Sequence, residues 1–246
     1  MRRKYKLTGV MQISLVMAIF ILGSLYLPWV TIGYSYEGVI KTLPTEGVGV
    51  LDLSTSESLV ININGFGTGT GEYEATYLRA KTGPTVVYEF RVNSPNIYTY
   101  TQLNMYSAYI LIGNMVLSFI IEAWQLSGLI TYVPLILLLV SGILALSSTI
   151  LILVEYDNIQ IEFEDGSVYT VGEFRDAILK YLEELPRDTP VSPYSERLIL
   201  PLENYTRINL GSFLSMILGI ILILASISQV FKKRSLEKFK EEVIVG

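Results

Sequence analysis

The sequence of 246 residues contains no cysteine and no histidine. Without cysteine, the chain cannot form a disulfide, a thiolate zinc site or a cysteine nucleophile. Without histidine, it also lacks the most common general base and metal ligand. The two absences exclude many redox and hydrolytic enzymes, and any exported domain must be held together by packing alone. An exported domain without disulfides, in a chain rich in Ile, Val, Tyr and Glu, suits a prokaryote and favours a thermophilic archaeal source.

Charged residues are also scarce, at 17% of the chain, whereas 51% of the residues are hydrophobic. The hydrophobic residues cluster in four runs, each with the ~20 residues that a membrane-spanning helix needs. The predicted spans are residues 8–30, 106–126, 130–154 and 209–231. The first run could instead be a cleaved signal peptide, but its apolar core is too long and no small-x-small cleavage site follows it. We therefore expect an uncleaved anchor and four spans.

Basic residues are concentrated at the two ends of the chain. Half of the 18 lysines and arginines lie in residues 1–7 and 232–246, whereas the long connections 31–105 and 155–208 are acidic and the turn at 127–129 is uncharged. Positive charge beside a span is retained on the cytoplasmic side. The sequence therefore predicts a multi-pass plasma-membrane protein with both termini in the cytoplasm and both long connections outside the cell. The basic tail would be a stop-transfer anchor or, alternatively, a site for anionic lipid headgroups.

The first long connection has the alternating pattern of β-strands. Segments enriched in β-branched and aromatic residues are separated by proline and glycine turns. The predicted strands are residues 38–43, 47–53, 58–64, 73–80, 85–92 and 97–103. We therefore expect a β layer in this connection.

The second long connection predicts two short strands and a helix. Asp165-Gly166 is a strong signal for a two-residue hairpin turn. Thr170 and Glu173 have the spacing of a capping box at the start of the helix, and Pro186 ends it. An apolar stripe follows one face of this helix, at Phe174, Ala177, Ile178, Tyr181, Leu182 and Leu185.

This apolar stripe must cover another element, because neither connection is large enough for a core of its own. The β layer of the first connection is the expected partner. The predicted fold class is therefore an α+β membrane protein, with a four-transmembrane-helix bundle and a composite extracellular β-rich domain formed by both connections.

The stretch "INGFGTGTGEYEATY", which begins at Ile63, contains glycines of the kind that can cradle a phosphate. Glu72 follows the last of them, where a phosphate-binding loop has lysine and then serine or threonine. We therefore expect neither nucleotide nor nucleic acid to bind. The stretch is either a flexible hairpin connection or a contact loop. The residues of that candidate contact loop are Gly65, Phe66, Gly67, Gly69 and Gly71.

The remaining motifs point to no catalytic, cofactor-binding or metal-binding residue. Glu162 and Glu164 share a strand face opposite apolar residues, which is the pattern of a solvated face rather than of two converging carboxylates. No calcium-binding loop with the usual ligand spacing is present, and no G-x-S-x-G nucleophile elbow occurs. Asn204 begins the sequon Asn204-Tyr205-Thr206 and is a candidate glycosylation site.

The second predicted span carries a polar stripe of Ser107, Asn114, Ser118 and Glu122 on one helical face. Ionisable groups within a span are functional candidates. Glu122 also lies close enough to the inner boundary to reach water, and Asn114 is expected to hydrogen-bond to another helix. The stripe therefore supports either a transport pathway or helix packing.

The fourth predicted span contains Gly211, Ser215 and Gly219 at four-residue spacing. Small residues at this spacing let two helices approach closely. The third span has the same arrangement at Ser141, Ala145 and Thr149. These ridges would close the bundle or bind a partner helix, and the intramolecular contact is the favoured interpretation.

The order of elements, with a tryptophan soon after the first span in "LPWVTIGY", resembles the claudin-like tetraspan membrane proteins. It is also similar to four-span proteins of prokaryotes, including archaea. The Gly-Leu-Trp motif and the cysteine pair of the claudin-like family are absent from this sequence. The resemblance implies a four-span topology and no particular site residue.

These observations favour a non-enzymatic integral membrane protein whose ectodomain mediates envelope contacts or scaffolds a membrane complex. Its expected partners are the lipid bilayer and a membrane protein or a second copy of the chain. One alternative is a transporter or channel subunit that uses the polar stripe of the second span. Another is a membrane-embedded enzyme that acts on lipid or glycan through outside carboxylates.

Overall fold

The computed structural model describes residues 6–42, 52–76, 85–184, 190–192, 195–199, 203–204 and 207–245. The chain divides into two units. The helical unit comprises Met1–Leu27, Tyr98–Val154 and Leu210–Gly246, and the sheet unit comprises Pro28–Ile97 and Glu155–Asn209. The predicted α+β class is confirmed.

The helices, in chain order, are α1 (Thr8–Ser24), α2 (Pro95–Ala123), α3 (Val133–Val154), α4 (Val171–Glu184) and α5 (Leu210–Val245). Short 3-10 helices precede and follow α3, at Gly128–Tyr132 and Tyr156–Asn158. The strands are β1 (Pro28–Thr42), β2 (Asp52–Asn64), β3 (Thr68–Thr76), β4 (Thr85–Asn93), β5 (Gln160–Phe163), β6 (Val168–Thr170), β7 (Pro190–Ser192), β8 (Ser195–Ile199), β9 (Glu203–Asn204) and β10 (Arg207–Ile208).

Three helical segments are long and apolar enough to cross a membrane: Pro95–Ala123, Gly128–Val154 and Leu210–Glu237. This composition indicates a membrane protein. Helix α1 is apolar but has only 17 residues, or roughly 26 Å at 1.5 Å per residue. The predicted first span at residues 8–30 is therefore wrong at its end, because Pro28 already begins strand β1.

Helix α2 begins well before the predicted second span. The segment 97–103, expected to be a strand, forms the first turns of α2, so that prediction is wrong. Its tyrosines and threonines favour a strand locally. However, Ile97, Thr101, Asn104 and Ala108 are all fully buried, at the three- and four-residue intervals of a helix face. Pro95 at the first helical position also favours this start.

Helices α3 and α5 contact each other along most of α3 without a shift in register. At the closest point, a methyl group added to Gly142 would lie 2.8 Å from the carbonyl oxygen of Gly219. Toward the end of α3, Thr149 Oγ1 donates to the carbonyl of Ser212 at 3.1 Å. Toward its start, Ser226 Oγ donates to the carbonyl of Leu135 at 2.7 Å. The predicted packing ridge of α5 therefore lies against α3.

The sheet is antiparallel and takes strands from both long connections. Its order is β6-β5-β4-β3-β2-β1-β8-β7, and β9 and β10 also pair with β1. One edge of β1 pairs with β2 through most of its length, and the other edge pairs with β10, β9 and β8 in turn. Strand β1 thus joins the two connections in one sheet.

Helix α4 covers the sheet through Phe174 and Ile178 of the predicted apolar stripe, whereas Ala177, which was predicted in the same stripe, is exposed. Ile178 packs with Tyr34 and Leu59, and the Phe174 and Phe163 rings are 6.1 Å apart. The predicted capping box is confirmed: the amide of Glu173 donates to Thr170 Oγ1 at 3.1 Å. The amide of Thr170 donates back to the Glu173 carboxylate at 2.9 Å. The bond from the Thr170 amide, with a second from the Thr170 hydroxyl to the same carboxylate, holds the pKa of Glu173 below its usual value. The side chains of Tyr181, Leu182 and Leu185 lie outside the described residues.

The β5–β6 hairpin has a three-residue loop rather than the predicted two-residue turn. Phe163 and Ser167 are hydrogen-bonded partners, which leaves Glu164, Asp165 and Gly166 in the loop. Gly166 has φ +82, as expected for a turn that ends in a glycine bulge. In this register Ile161 pairs with Tyr169 and is fully buried.

The close crossing of α3 and α5 can be tested with Gly219→Ala. Its new methyl group would lie 2.9 Å from backbone atoms of both Gly142 and Leu146, so the helices must separate. We expect a loss of about 1–3 kcal/mol, measured by thermal unfolding of the detergent-solubilised protein. The control is Gly113→Ala in α2, where an added methyl meets no atom within 4 Å. Equal destabilisation of both variants would contradict the close crossing.

Candidate functional site

The polar stripe of α2 faces the other helices of the helical unit. Ser107 Oγ donates to the carbonyl of Ser141 at 2.9 Å. Asn114 Nδ2 donates to Ser14 Oγ at 3.1 Å and to the carbonyl of Pro134 at 3.0 Å. Asn114 therefore links three helices, α1, α2 and α3. These bonds give the stripe a structural role, because polar groups in an apolar environment are stabilised by partners on neighbouring helices.

Asn104 belongs to the same polar face, although it was not predicted as a site residue. Its Nδ2 donates to Ser215 Oγ at 2.8 Å, and Ser215 Oγ in turn donates to the carbonyl of Ala145 at 3.1 Å. This cluster joins α2, α5 and α3. The available signal was the spacing of Asn104 from Ser107 and Asn114, three and ten residues away. It was missed because residues 97–103 resembled a strand.

Two atoms of the stripe remain without hydrogen-bond partners in the part of the chain that the structure describes. They are Asn114 Oδ1 and Ser118 Oγ, one helical turn apart, and both side chains are fully buried. A buried polar atom without a partner costs about 1–3 kcal/mol. They are the atoms of the stripe on which a transport pathway would depend.

Glu122 lies at the end of α2 and faces the start of α1. Its carboxylate accepts a hydrogen bond from Thr8 Oγ1, at 3.1 Å to Oε1. Leu7, which precedes α1, gives that helix no side-chain cap. A negative charge at a helix N-terminus offsets the helix dipole. Glu122 therefore stabilises the start of α1 from another helix.

The chain after α2 is held in a tight C-terminal turn. Gln125 adopts φ 53, its amide donates to the carbonyl of Glu122, and the amide of Leu126 donates to the carbonyl of Ile121. These two bonds are the Schellman pattern of helix termination. The turn fixes where Glu122 lies and leads directly into Gly128–Tyr132.

A cavity of about 450 Å³, here called the basal pocket, lies among the start of α1, the end of α2, the turn before α3 and the later part of α5. This volume is within the range of small-molecule sites. The pocket combines apolar walls with two lysines and two glutamates. Its lining residues are Lys6, Leu7, Ile121, Glu122, Gln125, Leu126, Ser127, Gly128, Thr131, Lys233, Leu236 and Glu237.

Lys233 is the most unusual residue of the basal pocket, because it is only 3% exposed. Its Nζ donates to Thr131 Oγ1 and lies 2.9 Å from the centroid of the Tyr132 ring. The carboxylate of Glu237 is 3.9 Å from Nζ and accepts a hydrogen bond from the Tyr132 hydroxyl at 2.7 Å. The sequence analysis placed this lysine in a basic tail that would be a stop-transfer anchor or a site for anionic lipid headgroups, and in the structure it belongs to α5, which continues to Val245.

The glycine-rich stretch forms a tight turn and part of a strand. Asn64 Oδ1 accepts the amide of Phe66 at 2.9 Å, and Gly67 has φ 71. Gly65 and Gly67 are buried, and Phe66 is half-buried. Gly69 and Gly71 belong to β3, where an added methyl on Gly71 would overlap the Phe90 ring.

This glycine turn lies at the helix-connected end of the sheet. Pro28 pairs with Asn64, and the amide of Ser94 donates to the carbonyl of Gly67 at 2.6 Å. Pro28 follows α1 closely in the chain, and Ser94 directly precedes α2. The glycine turn therefore lies at the end of the strands where the chain connects to α1 and α2, and not at their other end.

Exposed apolar side chains of β4 and β6 form a group on the face of the sheet that carries Phe90 and Phe163, and this group is here called the edge patch. Its residues are Val86, Tyr88 and Tyr169, which are 45–61% exposed. Val87 and Val168 are also exposed, but they lie on the opposite face, where they pair with Glu74 and Glu162. The rings of Tyr88 and Phe90 are 6.1 Å apart, those of Phe90 and Phe163 are 5.7 Å apart, and those of Phe163 and Tyr169 are 6.0 Å apart. Alternating strand patterns identify such residues but do not show that helix α4 leaves them uncovered.

Asn204 lies in β9, and its backbone pairs with Tyr34 of β1. The other two residues of the sequon, Tyr205 and Thr206, lie outside the described residues.

No protein-family model matches the sequence, and no curated protein matches it either.

The link between α1 and α2 can be tested by a double-mutant cycle with Ser14→Ala and Asn114→Ala. We expect a coupling energy of about 0.6 kcal/mol, the usual value for a hydrogen bond between membrane helices. The measurement is thermal or denaturant unfolding in detergent. A control cycle pairs Asn114→Ala with Ser215→Ala, which share no hydrogen bond, and should be additive within about 0.5 kcal/mol. Additivity in the first cycle would show that the Ser14–Asn114 bond contributes nothing.

Proposed function

We propose that the protein is a non-enzymatic integral membrane protein whose sheet unit contacts a membrane-protein partner or a second copy of the chain. The observation that carries the proposal is the edge patch. Apolar residues on a water-exposed unit, grouped rather than scattered, mark interaction surfaces. Valine and tyrosine also suit such a surface, because tyrosine contributes a large contact area at low entropic cost.

The proposed topology has four spans, with both termini in the cytoplasm and the two long connections outside the cell. Three spans correspond to the long apolar segments. Helix α1 would be the fourth, since its 17 residues, most of them apolar, reach the lower limit of ~17 residues for a span. The distribution of lysine and arginine supports this orientation. The same order of elements in the claudin-like tetraspan proteins supports it as well.

The face of the sheet opposite the aromatic rings supports a non-enzymatic function. Glu72 of β3 pairs directly with Glu89 of β4, and both residues are exposed. Two carboxylates on an open sheet face do not form the cleft that acid–base catalysis on lipid or glycan requires. The polar face is therefore better suited to remaining in water while the edge patch makes contact.

Transport is the second candidate, and one observation favours it: the unpartnered atoms of Asn114 and Ser118. Several observations favour a packing role for the polar stripe, and therefore the contact function over transport. Ser107, Asn104 and the amide nitrogen of Asn114 are all bonded to neighbouring helices. Glu122 caps α1. A proton or ion pathway would need these groups to exchange partners, whereas a scaffold needs them to remain in place.

The orientation predicts the labelling of two single-cysteine variants, Thr68→Cys and Ser235→Cys. Both positions are exposed, and the absence of natural cysteine removes background labelling. A membrane-impermeant maleimide should label position 68 in intact cells and position 235 only after permeabilisation. The reverse pattern would invert the topology and overturn the proposed placement of the sheet unit.

The contact function predicts that Tyr88→Cys, coupled to a benzophenone maleimide, forms a photo-crosslinked product in native membranes. A product of twice the mass of the chain indicates a second copy, and another mass indicates a different membrane protein. The control is Thr70→Cys, an exposed position on the polar face of β3. Equal crosslinking from both positions, or none from position 88, would contradict a contact at the edge patch.

A further inference from the structure

The buried ammonium of Lys233 is available to an anion in the basal pocket. A lysine ammonium has three donors, and within the described ranges of the chain Lys233 Nζ has one hydrogen-bond acceptor, Thr131 Oγ1. Glu237 at 3.9 Å is beyond hydrogen-bond distance, and the Tyr132 ring contacts the cation through its face. Phosphate oxygens are strong acceptors for such a group.

The charges of the basal pocket do not suit an anion alone. Glu122 and Glu237 line the same cavity as Lys6 and Lys233. Each carboxylate receives a hydroxyl hydrogen bond, from Thr8 or from Tyr132, and keeps acceptor capacity on its other lone pairs. A purely anionic ligand would be repelled by these carboxylates. A ligand with a phosphate and an ammonium group would satisfy both signs.

A second feature points to a lipid as the source of this ligand. An apolar groove of about 370 Å³ runs between α1 and α2 and is lined by Met11, Gln12, Leu15, Met115, Val116 and Phe119. It lies one helical turn from the basal pocket on both helices, since Met11 follows Leu7 by four residues and Phe119 precedes Glu122 by three. A soluble zwitterion has no acyl chain that could occupy this groove.

The position of the pocket also fits a lipid headgroup. It lies where α1 begins and α2 ends, and Trp124, just after α2, is 75% exposed. Exposed tryptophan at a helix end is typical of the interface between bilayer and water. A headgroup at that depth would meet the pocket, and an acyl chain would extend along the groove.

We propose that the basal pocket binds the headgroup of a membrane phospholipid that carries both a phosphate and a primary ammonium group, with one acyl chain in the groove between α1 and α2. The phosphate contacts Lys233 and Lys6, and the ammonium contacts Glu122 and Glu237. This inference uses the membrane placement of the helices and is independent of the contact function of the edge patch.

The test measures lipid binding to the detergent-purified full chain by native mass spectrometry, with thermal unfolding as a second readout. The probes are phosphatidylethanolamine, phosphatidylcholine and phosphatidylglycerol with identical acyl chains. Phosphatidylethanolamine should bind most tightly, because phosphatidylglycerol lacks the ammonium and phosphatidylcholine lacks its N–H donors. Preference for phosphatidylglycerol, or equal binding of all three, would overturn the proposal.

The residues are tested with Lys233→Met and its matched control Lys232→Met. Lys232 carries the same charge but is exposed and does not line the pocket. Lys233→Met should weaken phosphatidylethanolamine binding about tenfold or more, as expected for a hydrogen bond to a charged group, and Lys232→Met should not. If Lys233→Met does not fold, Lys6→Met at the exposed rim should weaken binding by about two- to fivefold.

Glu122→Gln and a soluble probe distinguish the remaining outcomes. The glutamine variant should reduce the preference for phosphatidylethanolamine over phosphatidylglycerol, because it removes one carboxylate facing the ammonium. Free phosphoethanolamine should bind far more weakly than the lipid. Equally tight binding of free phosphoethanolamine would assign the pocket to a soluble zwitterion and overturn the lipid assignment.

Discussion

The close contact between α3 and α5 at Gly142 and Gly219 is the interaction on which the helical unit depends. In a membrane there is no hydrophobic force between helices, so close backbone approach and interhelical hydrogen bonds must hold them together. The glycine crossing allows that approach, and Ser215 and Ser226 then reach carbonyl oxygens of α3. The same register continues to Lys233, which it places against Thr131 and Tyr132.

The buried polar residues of α2 are therefore better understood as parts of this packing than as a pathway. Asn114 joins α2 to α1 and α3, and Asn104 joins α2 to α5, where Ser215 in turn bonds to α3. Glu122 stabilises the start of α1, and its position at the end of α2 also makes it a wall of the basal pocket. A residue type that suggests ion handling thus serves helix packing and lies beside a ligand-sized cavity.

The sheet unit follows a comparable constraint, because β1 pairs on both of its edges. Strands β8, β9 and β10 of the second connection add to the edge of β1 that β2 leaves open, whereas β5 and β6 add to the sheet at β4. Helix α4 then covers Tyr34 and Leu59 on one face, while Val86 and Tyr88 of β4 remain exposed. The surface proposed for contact is consequently the part of the apolar sheet face that α4 does not reach.

Local patterns were sufficient for the α+β class, the long apolar helices, most strands of the first connection and the Thr170–Glu173 capping box. Each of these depends on residues close together in the chain. Local patterns predicted a strand at residues 97–103. These residues are helical, because the buried positions recur at the spacing of a helix face. Local patterns also treated Gly69 and Gly71 as loop residues, although the Phe90 ring on the neighbouring strand explains why Gly71 is a glycine.

The sequence by itself determined that the chain has apolar helices separated by acidic, β-rich connections, because hydropathy and charge are properties of each segment alone. Only the tertiary structure decided what the polar residues do. Lys233 and Glu122 are more than 100 residues apart, and their common pocket exists because α1, α2 and α5 end or pass at the same place. No local pattern contains that information, since it depends on how distant helices pack.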